Sequence, residues 1–248
     1  MNIESQRKEL QYDEGGHAQW VNVLASHDLD PAETAVLICD MWDKHWSRGA
    51  TERVNALAPR INEFVIACRR NGMTIIHAPS ETLDVYEIAP ARRRAEEIPL
   101  IQPPIFTLPA YPPLPIDDSD GGSDTNQDGT EIPNNPVWTR QHPVIEIDDD
   151  VDYITDIGYE VYSLLTQKGF KHVLIAGVHT NMCVLGRSFA IKQMVGWNID
   201  VMLVRDLTDA MYNPARSPYV NHDEGTRLVI EYIEKFLCPT VKSVDFLE

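Results

Sequence analysis

Short apolar runs and amphipathic stretches alternate along most of this chain. Thr34 to Asp40 (TAVLICD) is an apolar run ending in an acid, the pattern of a strand buried on both faces of a parallel sheet. Residues 52–71 place Val54, Leu57, Ile61, Phe64, Val65 and Cys68 at three- and four-residue spacings. That spacing predicts an amphipathic helix, stopped by Gly72. Met73 to His77 is the next strand, and Val144 to Ile147 predicts a short third one. Ile157 to Lys168 reads as a helix. Val173 to Val178 (VLIAGV) is a fourth strand, followed by HTNMCV and a helix through Met194. Ile199 to Val204 predicts a fifth strand, residues 222–236 a last helix, and SVDFL a short closing strand. Alternating strands and helices predict an α/β fold, a three-layer α/β/α sandwich on a mostly parallel sheet. Functional side chains are then expected just past the carboxyl ends of strands.

Two regions depart from the alternation. Residues 1–33 are polar and mixed, and read as an N-terminal extension ahead of a single domain over 34–248. A second stretch, at about 80–140, reads as a large insertion. Within it, residues 99–136 hold nine of the 17 prolines together with DDSDGGSDTNQDG. Long irregular loops inside compact domains are usually functional or disordered, and DDSDGG equally suits a lid over the site. Asp124, Asn126, Asp128 and Gly129 match the first half of a calcium loop. The twelfth position is Asn135 rather than glutamate, so a solvated acidic loop is the favoured reading. Arg92, Arg93 and Arg94 read as a solvated helix face, with a subunit contact as the alternative.

Charge narrows the functional classes. Against 38 acids stand 21 lysines and arginines, a formal charge of −17 over 248 residues. Nucleic acid and anionic lipid are both bound through lysine and arginine, so neither partner is expected. No apolar run approaches the roughly 18–20 residues of a membrane helix, and MNIESQRKELQYDEGG has no apolar signal region. The expectation is a cytoplasmic protein. Of the four cysteines, Cys39, Cys68, Cys183 and Cys238, none sits at C-x-x-C spacing. Cys39, Cys68 and Cys238 lie in apolar company and read as packing residues. Cys183 opens a predicted helix just after a strand, where the helix dipole favours a thiolate. Asp40 ends another strand. If the two strands are neighbours, that acid can take the thiol proton.

Two segments carry a resemblance. TAVLICDMW, and AGVHTNMCVLGRSFAIKQMVGWNIDVMLVRDLTDA after it, resemble the isochorismatase-like cysteine hydrolases, a family that includes nicotinamidases and other amidases. The similarity runs from about Thr34 to the C-terminal helix. It implies hydrolysis of an amide-type C–N bond in a small molecule, with Cys183 as nucleophile and Asp40 as general base. It also implies a cis peptide at Val178–His179, an oxyanion hole from the N–H groups of His179 and Cys183, no cofactor, and a homo-oligomer. Two alternatives stand beside it: vinyl ether hydrolysis of the isochorismatase type, and a non-catalytic small-molecule-binding protein on the same fold.

The sequence departs from the family at the third catalytic position. The family lysine ends the strand that here reads HPVIEI, yet no lysine lies between Lys44 and Lys168. Glu146 or Ile147 falls closest to its place, with Arg140 a little upstream. Arg140 is the first candidate for the missing cation, ahead of Lys44 and Arg187, and Glu146 is read as its partner or as a protonated donor. DMWDKHW (Asp40 to Trp46) supplies aromatic and polar walls for a pocket. Trp42 and His45, with His77 and Asn181, are the expected substrate-binding residues. Asp43, His45 and His77 are chemically suited to a metal. The family's metal-binding acid and two histidines are missing from HAPSETLD, so no metal is expected.

Overall fold

The computed structural model describes residues 1–125 and 131–247. The chain forms β1 (Asn2–Tyr12), β2 (Ala18–Asp28), β3 (Thr34–Cys39), β4 (Thr74–Ala78), β5 (Tyr153–Ile154), β6 (His172–Val178), β7 (Asp200–Asp209) and β8 (Thr240–Val241). These make one sheet in the order β2-β1-β8-β7-β6-β3-β4-β5. From β8 to β5 every pairing is parallel. The β1–β2 hairpin joins the opposite edge antiparallel.

The helices are α1 (Arg48–Arg70), α2 (Pro90–Glu96), α3 (Gly158–Lys168), α4 (Cys183–Gly186), α5 (Ile191–Gly196) and α6 (His222–Phe236). Alternate side chains of a strand point to opposite faces, and β3 shows this directly. Val36 and Ile38 pack on one side with Leu57, Ile61 and Phe64 of α1. Ala35, Leu37 and Cys39 pack on the other with side chains of α3, α5 and α6. All five are fully buried, which explains the unbroken apolar run in the sequence. Each large apolar side chain buried this way contributes about 1.5–3 kcal/mol. The result is the expected three-layer α/β/α sandwich. Among the described residues, no helix is long and apolar enough to cross a membrane.

Several local expectations are corrected. The polar segment 1–33 contains two eleven-residue strands. They are held to α6 by Lys8–Glu231 (3.3 Å), a Gln6–Glu234 hydrogen bond and Trp20 edge-on to Phe236. Residues 144–147 are not a strand. The Ile145 N–H donates to the His142 carbonyl and the Glu146 N–H to Asn62 Oδ1, so these groups are committed to a turn. The third strand of the parallel run is β5, two residues paired to Ile76 and His77. SVDFL forms a 3-10 turn, and the closing strand is β8 just before it. The helix expected through Met194 breaks at Arg187, whose backbone is extended (φ −61°, ψ 157°). The break brings Ser188 against Gly158, where an added Cβ would lie 2.2 Å from the Ser188 carbonyl oxygen. Arg92 is buried and pairs with Glu160 at 2.5 Å, so it is not part of a solvated face, whereas Arg93 is exposed.

Gly177 joins the fold to the site. Its φ is +115°, and a Cβ would sit 2.0 Å from the carbonyl oxygen of Cys39. The β6–β7 register shifts between Ile175 and Gly177. Gly177→Ala combines a left-handed backbone with a backbone clash, and is expected to cost about 3 kcal/mol or more. Thermal denaturation should then show a Tm lower by about 6–12 °C.

Candidate active site

β3 and β6 are neighbours, with Cys39 opposite Gly177. From β3 the chain winds one way through β4 and β5 and the other way through β6, β7 and β8. The crevice past the strand ends at such a reversal is where α/β sheets place ligands. Asp40 leaves β3 with φ +46°, a conformation that aspartate tolerates better than most residues. It is fully buried. Its Oδ1 accepts from the Ser80 N–H at 2.8 Å, and its Oδ2 accepts from Arg187 Nε at 2.8 Å. Burial raises the Asp40 carboxyl above its ordinary value, and Arg187 opposes that rise.

Cys183 opens α4 and faces Asp40. Burial, with Asp40 second, pushes its thiol up to about 12. The resting sulfur is therefore a neutral thiol. This corrects the expectation of a dipole-stabilised thiolate: α4 has only four residues, and desolvation outweighs its end. The turn before it is fixed by Met182 and Val184, which both donate to the His179 carbonyl. The Val178–His179 bond is cis, and the His179 N–H is directed at the Cys183 sulfur. Cys39, Cys68 and Cys238 are buried, whereas Cys183 is partly open. Iodoacetamide is expected to label Cys183 first in native protein, read by peptide mass spectrometry. Faster labelling of any other cysteine would exclude Cys183 as the reactive thiol.

Arg187 is the cation of this site. It stands four residues after Cys183, one helical turn on. Besides Asp40 it reaches Glu81 Oε1 at 3.3 Å, and its guanidinium carbon lies 5.9 Å from the Trp42 ring centroid. Burial works against its charge, but Asp40 and its hydrogen bond more than offset this. The pocket around Cys183 holds about 260 Å³ and is walled by Trp42, His45, Trp46, Trp138, His179 and Arg187. Trp42 stacks on Trp138 at 4.3 Å with planes 13° apart. Burial and nearby Arg53 lower His45 to about 4. Burial and His45 lower His179 to about 3. Both imidazoles are neutral near pH 7.

The sequence matches the isochorismatase domain over residues 34–217. The chain belongs to the isochorismatase family. Among solved structures it is similar to a cysteine hydrolase from Pseudomonas syringae pv. phaseolicola 1448A. Identity there is 15%, coverage is 88% of this chain and 92% of that one, and the TM-score is 0.53. It is also similar to an isochorismatase family protein from Burkholderia thailandensis, at 12% identity, 88% and 95% coverage and a TM-score of 0.49. Among curated protein sequences none matches.

Not every residue expected in this isochorismatase-family site is there. Glu146 is more than half exposed and pairs with Arg69 at 3.2 Å on the outer surface. Arg140 is exposed, and its carbonyl accepts from the Asp43 N–H. Neither is a partner of Asp40: Glu146 lies in a turn beside α1, Arg140 lies in the segment bridged to Trp42, and neither belongs to the strand next to β4. Lys44 is likewise exposed. Trp42 and His45 line the pocket as expected. His77 does not: it is fully buried between Gln141 (3.0 Å) and Asp152 (3.1 Å), and Asp152 is also held by Arg69 at 2.6 Å. Asn181 is structural too, exchanging hydrogen bonds with the Met211 backbone and donating to Asp118 at 2.8 Å.

The residues that sequence reading missed come mainly from the insertion. Trp138 forms a pocket wall, and that loop is fastened by Asp43, which accepts from the Thr139 N–H and hydroxyl at 2.9 and 2.6 Å. Glu131 fastens it again, accepting from the Arg48 N–H at 2.9 Å and the Thr125 hydroxyl at 2.6 Å. The one signal for Arg187 was its place a helical turn beyond Cys183. Asp43 and His77 are engaged apart from each other, and no cluster of three or more His, Cys, Asp or Glu could hold a metal among the described residues. Of the calcium-like loop, Asp124 pairs with Arg53 at 2.8 Å. Asn126, Asp128 and Gly129 lie outside the described residues.

Proposed function

We propose that this chain is a cysteine hydrolase that cleaves the amide-type C–N bond of a small molecule through an acyl-enzyme. The observation that carries this reading is the meeting of three groups at one pocket. Cys183 faces a buried carboxylate, Asp40, which is clamped by a fixed cation, Arg187. Because the resting thiol is neutral, its deprotonation is coupled to attack. The sulfur bonds to the substrate carbonyl carbon as Asp40 takes the thiol proton, and the carbonyl π pair moves onto oxygen. The N–H groups of His179 and Cys183 hold that oxyanion, each worth about 3 kcal/mol in the transition state.

Asp40 then gives its proton to the leaving nitrogen as the C–N bond breaks, which leaves a thioester on Cys183. Water attacks the thioester carbon, Asp40 takes a proton from the water, and the proton returns to sulfur as the acid departs. A carboxyl raised by burial is a better base than an exposed one. Arg187 keeps its charge throughout, so it orients Asp40 without itself exchanging protons.

Rapid quenching of the enzyme with a panel of small amides tests this. Intact mass should rise by the acyl group, and peptide mapping should place the group on Cys183. Amide turnover with the acyl group on another residue, or no turnover of any amide in the panel, would defeat the reading.

A further inference from the structure

β2 is the outermost strand of the sheet, and its far edge pairs with no strand among the described residues. It runs eleven residues opposite β1 in unbroken register, and none of its residues is buried. The backbone N–H and C=O groups along such an edge are a template for another strand. Proteins protect a free edge with lysine, proline, a bulge, a short strand or a covering loop. β2 has none of these, and Ala18 to Ser26 (AQWVNVLAS) contains no charged residue. The whole chain carries a net charge of −17, which opposes self-association through most of its surface. Along β2 that repulsion has no local source. The hairpin also precedes residues 34–217, which match the isochorismatase domain, so this edge is an addition to the shared domain.

The order of side chains points to one occupant. Residues 20–24 read Trp-Val-Asn-Val-Leu, nearly the same in both directions about Asn22. A two-fold axis places residue i of one copy opposite residue j of the other, and j opposite i. With that axis at Asn22, antiparallel pairing sets Val21 of each copy opposite Val23 of the other, and Trp20 opposite Leu24. Trp20 and Leu24 share the strand face toward α6, where the Trp20 ring stands edge-on to Phe236 at 5.6 Å. Val21 and Val23 share the other face. Trp20 is 39% exposed and Leu24 55%, so both have apolar area left to cover. Opposed side chains of an antiparallel pair lie about 5 Å apart at Cβ, close enough for apolar contacts to line both faces of the seam. No like charges meet anywhere along it.

We propose that a second copy of this chain docks on the β2 edge, by antiparallel β2–β2 pairing about a two-fold axis at Asn22, so that one sheet runs through both copies. The interface lies on the far side of β1, β8 and β7 from the Cys183 crevice. It is tested without substrate, so its outcome is separate from that of the amidase reading.

Sedimentation of the full chain at micromolar concentration and moderate salt should show an even number of 28.1 kDa copies. The double variant Asn22→Glu with Leu24→Glu changes two exposed side chains, and Asn22 already stands opposite Lys8 within the hairpin, so the single chain should stay folded. At the seam it sets like charges against each other and removes both Trp20–Leu24 contacts. Association is expected to weaken about tenfold or more, and the mass to fall by half. A cysteine at the axis supplies a second reading. Paired Cα atoms there would lie about 4.5–5.5 Å apart, within the span of a disulfide. Mild oxidation of Asn22→Cys should give a covalent dimer, mapped by non-reducing peptide mass spectrometry to the introduced thiols, whereas oxidised native protein gives none there. A native mass of one copy, or of any odd number, overturns the proposal, and a single copy leaves the edge to a strand of another protein. An unchanged mass in the double variant, or no crosslink through the introduced thiols, overturns it as well.

Discussion

Cys183→Ala is expected to cut kcat for amide hydrolysis by about 10³-fold or more, because no other group at the pocket can form the thioester. The protein should stay folded, since the change removes one partly open sulfur and costs within about 1 kcal/mol. Asp40→Asn should be as damaging to kcat but should differ in stability. The amide cannot accept a proton at neutral pH, and it leaves Arg187 facing a neutral group in a buried position. Glu81 still holds the guanidinium, which moderates the loss to about 1–3 kcal/mol. Steady-state kinetics and thermal denaturation on the same preparations separate the two variants. Full activity in Cys183→Ala would remove the acyl-enzyme from the account.

The second large effect is expected at Arg187. Arg187→Met should lower kcat by about 10²-fold or more, the scale of losses when a general base is disabled. It should also move the acid limb of kcat/KM. Asp40 is raised by burial and held back by Arg187. Without the cation the carboxylate is less favoured, its pKa climbs further, and activity should fade at a higher pH on acidification. Arg187→Lys restores a charge at the same place and should recover part of the rate. Lysine ordinarily titrates at about 10.4, so this variant should also lose activity as pH rises through that region, a loss the native arginine does not confer. His45 is lowered to about 4 and so adds no change near neutrality. A pH profile of each variant checks the assignment. Unchanged rate and acid limb in Arg187→Met would place the compensating charge elsewhere.

The contrast between Asp40 and Arg187 shows what kind of information a sequence carries here. Asp40 and Cys183 were legible because Asp40 directly follows the buried strand β3, and Cys183 opens the helix a few residues after the mostly apolar strand β6. Strands of that type are buried on both faces and run parallel, so their ends converge wherever two are adjacent. The place of the family lysine points to Arg140 and Glu146 for the cation. It misleads because residues 144–147 form a turn, while the strand beside β4 is only Tyr153–Ile154. Two residues carry no period, and their strand character exists only through pairing with Ile76 and His77. His77 misled in a related way. A histidine on a strand near the site looks like a ligand residue, but Asp152 and Gln141 arrive from far along the chain to engage both ring nitrogens.

By itself the sequence determined the α/β class, strands β3, β4, β6 and β7, helices α1, α3 and α6, and the convergence of Asp40 and Cys183 on one crevice. These follow from burial on one or two faces, which is written locally as a period of two, a period of 3.6 or an unbroken apolar run. Tertiary structure alone decided three other things. The polar segment 1–33 became strands because α6 and β8 offered an edge and a few matched contacts. The insertion became a pocket wall because Asp43 and Glu131 fasten it beside Trp42 and Ser47. Arg187 reached Asp40 because α4 ends after one turn and its next residues are held by α3. Each of these depends on partners tens of residues away, and no local pattern encodes which distant group will be there.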